Sequence, residues 1–244
     1  MEFTGKSTRF HERRKLKIPL EVSYLEAVDN AWQETTETEE LTMCGAGFTV
    51  SRPVEPKRLI NLKLPMPKSL RLYDFGKNLY DVWGVVRSVV VIRQSAANGI
   101  RIKVGVALIG ETPPSSFWQD PATLYDLKPV LKRSGFWDLR QAPRNSGRYA
   151  RFFEERQNSV KTVILQTINE QGRIIETIEA ETQNISEAGM ALTAKLAIIH
   201  SGYALVKTLD QSPVLLAKVR GIQAPDETGA IRMHLEFLSG EWIF

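Results

Sequence analysis

Apolar residues along the chain fall in short runs rich in Val, Ile, Leu and Thr, broken every few positions by Gly, Pro, Asn or Asp. That pattern predicts antiparallel β structure closing into a small barrel or sandwich. The runs occur twice, in the same order. Each half opens on a polar, basic lead-in to a strand, RRKLKIPLEVSYLEA from Arg13 and ERQNSVKTVILQTIN from Glu155. Each passes through a turn, EELTMCGAGFTV from Glu39 and ETQNISEAGMALTA from Glu181. Each then reaches an x-V-R strand, VWGVVRSVV from Val82 and LLAKVRGIQ from Leu215, and a Gly-led final strand, NGIRIKVGVALIG and TGAIRMHLEFLSG. Self-similarity of this kind marks two copies of one unit, and about six strands are expected in each. The first copy is longer, mainly by PMPKSLRLYDFGKN.

Between the copies the pattern changes. Asp120 can cap a helix with Pro121 at its first position, and Leu124, Leu127 and Leu131 then fall on one face, which predicts a connecting helix packed on the first barrel. The Gly, Pro, Asn and Ser of RSGFWDLRQAPRNSGR mark the boundary. The expected division is a first barrel with its C-terminal helix over 1–133, a linker over 134–147 and a second barrel over 148–244. Tyr149, Phe152 and Phe153 are expected on a helical turn leading into the second barrel.

Composition adds limits. The 244 residues are 43% hydrophobic and 25% charged, as in an ordinary folded protein, and suffice for two domains. The longest apolar runs are broken by charge well short of the roughly 20 residues a membrane span needs, and the charged N-terminus is not followed by an apolar stretch of the secretory kind. With one cysteine, Cys44, there is no internal disulfide. The protein is expected to be cytoplasmic, and Cys44 a small buried residue. Net charge is +4, a mild bias toward anionic ligands. It is concentrated in Lys6 to Lys17 and in the mid-chain cluster Arg144 to Arg156.

The two turns carry the candidate chemistry. In the second, Asn184, Ser186 and Gly189 interrupt strand sequence with side chains that bond nearby backbone and a residue free to take unusual conformations. In the first, Glu40, Thr42 and Gly45 stand at the same spacing. Tandem halves with a basic lead-in, a D/N-x-S-x-x-G turn and a G-V-x-F-like final strand resemble the PilZ family, over nearly the whole chain except the connecting segment. The resemblance implies an all-β fold of two six-stranded antiparallel barrels and a bacterial receptor for the second messenger cyclic di-GMP. It implies a site in which arginines of an R-x-x-x-R segment close over the nucleotide at the turn. Arg can fork onto guanine, pair with phosphate and stack on a base, so the residue types suit the ligand.

On that resemblance the ligand residues are Arg9, Arg13, Arg14 and Lys17 of the first lead-in, Arg148, Arg151 and Arg156 of the second, and Asn184, Ser186 and Gly189 of the second turn. The better arginine segment and the fully matched turn lie in different halves. One version of the site therefore has the arginine segment of one half complete the turn of the other. A downstream protein partner is expected, and a homo-oligomer is kept open. The alternative is a PilZ-derived scaffold that has lost the nucleotide and acts through protein contacts. A nucleic-acid-binding module would show more aromatic residues among the basic ones of its strands. No G-x-S-x-G, Walker or G-x-G-x-x-G segment occurs, and His11, His200 and His234 have no metal-ligand spacing. No enzyme activity, resident cofactor or metal is expected.

Overall fold

The structure is a computed structural model and describes residues 14–95, 99–132, 134–143, 158–195, 202–209 and 214–240. Two closed six-stranded antiparallel barrels follow one another. The first is built from β2 (Pro19–Ala27), β3 (Asn30–Thr42), β4 (Gly45–Val50), β5 (Leu59–Leu64), β6 (Tyr80–Ser95) and β7 (Gly99–Gly110). Its order is β3-β2-β5-β6-β7-β4, and pairing of β3 with β4 closes it. A two-residue strand, β1 (Arg14–Lys15), continues the line of β2 along β3. The second barrel is built from β10 (Thr162–Ile168), β11 (Ile174–Ser186), β12 (Gly189–Ala194), β13 (Tyr203–Lys207), β14 (Val214–Ile222) and β15 (Ile231–Phe237), in the order β10-β11-β12-β15-β14-β13. Inward side chains alternate with exposed ones: in β2, Leu20, Val22 and Tyr24 are buried while Pro19 and Glu21 are exposed.

The repeat is exact in position across the turn hairpins: Asn30–Thr42 and Gly45–Val50 recur 144 residues later as Ile174–Ser186 and Gly189–Ala194, with the same burial pattern in β4 and β12. Even the bulge recurs, between Thr38 and Glu40 and between Thr182 and Asn184. At each bulge a buried threonine pins the lead-in. Thr38 Oγ1 donates to Leu16 O (2.5 Å) and accepts from Ile18 N (3.1 Å). Thr182 Oγ1 donates to Ser159 O (2.6 Å) and accepts from Lys161 N (2.9 Å).

The connecting segment is not the expected helix. A single helical turn, α1 (Ser115–Gln119), is followed by a hairpin of β8 (Tyr125–Leu131) and β9 (Trp137–Gln141). Pro129 decides against the helix, since in a helix interior it would lack the N–H and clash with the preceding turn. In the strand it sits where the β8–β9 register shifts, between Leu127 and Leu131. Tyr125 is buried on the first barrel with Leu59, Val85 and Phe117, and Leu127, two residues on, packs half-buried against the same cluster. The hairpin therefore belongs to that barrel and straddles positions 133 and 134. The extra segment of the first half wraps Arg71, whose guanidinium donates to the carbonyls of Met66, Asp74, Lys77 and Asn78.

The barrels are joined through a shared apolar cluster in which Ile168, Leu205 and Leu216 of the second pack with the core of the first. Over it lies a buried ion network. Glu55 accepts from Lys218 (2.6 Å) and from Arg220, with Arg58 at 3.6 Å, and Arg220 also reaches Glu236. Burial pushes the Glu55 carboxyl up, but Lys218 and Arg220 outweigh it and hold it below the ordinary value. Tyr203 OH donates to Glu26 (2.8 Å). A second contact is backbone on backbone: Ile100 N donates to Gly172 O (2.9 Å), and Gly172, at φ +73°, sits so close that a Cβ would be 1.9 Å from Ser51 O. Among the described residues, no helix is long and apolar enough to cross a membrane.

Candidate functional site

The threonine pins explain where each lead-in runs. In the first barrel the pinned chain continues as β1, with Arg14 opposite Leu41 and Lys15 opposite Glu40. Arg14 and Lys17 are exposed. Arg14 and Lys15 are thus held along the strand that leads into the first turn, with Thr38 fixing the chain at Leu16 and Ile18 just after them. Arg9, Arg13, Arg148, Arg151 and Arg156 lie outside the described residues. So do Tyr149, Phe152, Phe153, His11 and His200.

The turns themselves are two-residue connections closed by a hydroxyl. Thr42 Oγ1 donates to Gly45 O (3.2 Å), and Ser186 Oγ donates to Gly189 O (3.3 Å). Ser186 is 5% exposed, and a Cβ on Gly189 would be 2.2 Å from Leu235 O. Both residues therefore have a structural duty in the turn and in the β12–β15 contact. Asn184 is half-buried.

Across the outer face of each barrel, the turn strand begins a transverse row. In the first barrel the row runs Glu40, Gly47, Gly105, Ser88 over β3, β4, β7 and β6. In the second it runs Asn184, Ala191, His234, Gly221 over β11, β12, β15 and β14. The first row has no side chains at its two central positions. The second is filled by a methyl and an imidazole, whose Cδ2 would lie 3.7 Å from a Cβ on Gly221. Gly105 and Gly221 are alternative answers to one crowding problem, since a Cβ on Gly105 would stand 2.5 Å from Ser88 Oγ.

The empty row of the first barrel is the floor of a cleft of about 700 Å³, within the size range of small-molecule sites. Glu40, Thr42 and Cys44 of the turn form one side, Arg87 and Lys103 supply positive charge, and Leu127, Lys128, Pro129 and Trp137 of the hairpin form a wall. Cys44 is only half-buried and lines this cleft. Lys103 is bound to Glu39 (2.8 Å); together with Thr49 Oγ1 it holds the Glu39 carboxyl below its ordinary value. Arg87 is exposed. Spacing of strands in a sheet puts Glu40 and Ser88 about 14 Å apart across the row. The cleft can accept a flat, anionic molecule that lies on bare backbone, with a carboxylate at one end to receive N–H donors and cations to meet phosphate.

Residues that reading the sequence missed are Gly47, Gly105, Arg87, Trp137, Thr38 and Thr182. The threonines and the glycine-to-histidine difference have a sequence signal in the alignment of the two halves. Trp137 has none, because its segment reads as linker.

No family model and no curated protein matches this chain. Among solved structures it is similar to the Bacillus subtilis inhibitor of motility MotI/DgrA, with 11% identity and a TM-score of 0.27 over 93% of this chain and 90% of that one. It is also similar to Borreliella burgdorferi PlzA in complex with cyclic di-GMP, with 8% identity and a TM-score of 0.27 over 93% and 86%. A third is Escherichia coli YcgR in complex with cyclic di-GMP, with 15% identity and a TM-score of 0.25 over 91% and 76%.

Proposed function

We propose that the protein is a non-enzymatic cyclic di-GMP receptor of bacterial signalling, and that the nucleotide binds in the cleft of the first barrel. The observation that carries this reading is the pairing of the arginine-bearing lead-in onto the turn strand, Arg14 opposite Leu41 and Lys15 opposite Glu40, at the edge of that cleft. Glu40 stands where the resembled family has Asp or Asn. A carboxylate there accepts from the N–H edge of a guanine as those residues do. Gly47 and Gly105 let the base approach the backbone, and Arg9, Arg13, Arg14 and Lys17 close from the lead-in over the phosphates. The second barrel, with its row filled, serves as the rigid partner that is read by a downstream protein.

Calorimetric titration of cyclic di-GMP into the wild type, Arg14→Ala, Glu40→Ala and Asn184→Ala tests this. Saturable binding weakened by the first two substitutions and untouched by the third is expected. Loss through Asn184→Ala alone moves the site to the second turn with Arg148, Arg151 and Arg156. Absence of binding in the wild type leaves the scaffold that acts through protein contacts.

A further inference from the structure

We infer that the β8–β9 hairpin is part of the ligand site: Trp137 offers a stacking face to a base lying on the glycine floor, and Lys128 meets a phosphate. This rests on the nucleotide reading of the cleft and adds the wall that the turn and the arginine segment do not supply.

Three observations carry it. First, of the four hairpin residues on the cleft, Trp137, Leu127 and Pro129 are apolar and Lys128 is cationic, opposite a floor without side chains at Gly47 and Gly105. A flat base between a bare floor and an indole gains stacking on one side and close backbone approach on the other. Second, the hairpin is held fast. Tyr125 is 1% exposed, its N–H donates to Lys57 O (2.8 Å) and its hydroxyl meets Ser116 Oγ (2.8 Å); Lys57 Nζ reaches Asp126 (3.0 Å); Ala142 N donates to Leu124 O (2.8 Å). A wall fixed by these bonds is already placed before ligand arrives, which limits the ordering cost of binding. Third, the charge at its rim is unbalanced. Asp138 lies between Lys128 (2.6 Å) and Lys132 (3.7 Å), so two cations share one acid and the excess is positive. Pro129, at the register shift, leaves the neighbouring Lys128 exposed at the mouth.

The experiment is cyclic di-GMP titration of the full chain, read by calorimetry and by tryptophan fluorescence, on the wild type, Trp137→Phe, Trp137→Leu and Lys128→Met. Trp137→Leu is expected to weaken binding by about 10-fold or more, the usual scale of one lost base stack. Trp137→Phe keeps a stacking ring, so it is expected to bind within about threefold of the wild type, yet to lose the ligand-induced change in fluorescence. Lys128→Met is expected to weaken binding and flatten its salt dependence. Wild-type affinity in Trp137→Leu and Lys128→Met, with the fluorescence change intact in Trp137→Phe, overturns the hairpin's role while leaving the first-barrel site standing. No binding by the wild type overturns both.

Discussion

The two barrels share a fold and a turn, yet differ at the row of residues behind the turn. The second barrel has the turn that best matches the resembled family, and behind it Ala191 and His234 fill the surface. The first has the altered turn, and behind it Gly47 and Gly105 leave a cleft walled by a hairpin that has no counterpart among the described residues of the second. A motif names the residues at the lip of a site. Whether there is room for a ligand is decided by positions on neighbouring strands, brought alongside by register. On the proposed reading the first barrel receives the ligand and the second supports it.

The largest effect is expected from separating the two. Gly172→Ala forces a left-handed backbone on a residue with a Cβ and drives that carbon to 1.9 Å from Ser51 O. Strain and overpacking together should cost about 4 kcal/mol, seen in calorimetry as a lowered transition for the second barrel. If the first barrel is the receptor, nucleotide affinity survives this change.

Next comes Glu55→Gln, which leaves Lys218, Arg220 and Arg58 without their buried anion and should cost about 3 kcal/mol at neutral pH. The sign with pH follows from the lowered Glu55 pKa. The unfolded carboxyl, near its ordinary 4.5, takes up a proton first as pH falls, so the stabilisation is complete above that value and is lost as pH falls through the lower folded pKa. Glu55→Gln should remove that part of the acid dependence, measured by urea denaturation between pH 3 and pH 7.

A smaller effect separates the lead-ins. Thr38→Val and Thr182→Val each remove the hydroxyl that pins a lead-in, and each should cost about 1 to 2 kcal/mol. Their effects on ligand should differ. Thr38→Val frees the arginine segment from its turn and weakens cyclic di-GMP binding, while Thr182→Val leaves the affinity as it was. Equal losses in both would break the division of roles.

Much of the fold is legible in the sequence because alternation and repetition are local properties. The Gly-led final strands and the x-V-R strands stand where the barrels place them, β7 and β15, β6 and β14. Strand β8 reads as a helix because Leu124, Leu127 and Leu131 fit both a helical face and, in part, a strand, and Pro129 is the residue that separates the two, while β9 reads as linker. The arginine lead-in and the turn are legible as motifs, but their pairing is not: it depends on the Thr38 pin. Nor is the ion network legible, since Glu55 and Lys218 are 163 residues apart and meet only once both barrels are docked. The open row required the register of four strands, although the contrast of Gly105 with His234 is visible once the halves are aligned.

The most direct test copies the second barrel's surface onto the first. In Gly47→Ala/Gly105→His/Ser88→Gly, the Cβ at 47 meets nothing closer than 3.6 Å, and removal of the Ser88 side chain clears the 2.5 Å conflict at 105, as Gly221 does for His234. The chain should therefore fold with a transition close to the wild type's. Calorimetric titration with cyclic di-GMP should then show no binding, while Asn184→Ala binds as the wild type does. Full affinity in the copied row, with loss in Asn184→Ala, would contradict the assignment and place the receptor in the second barrel.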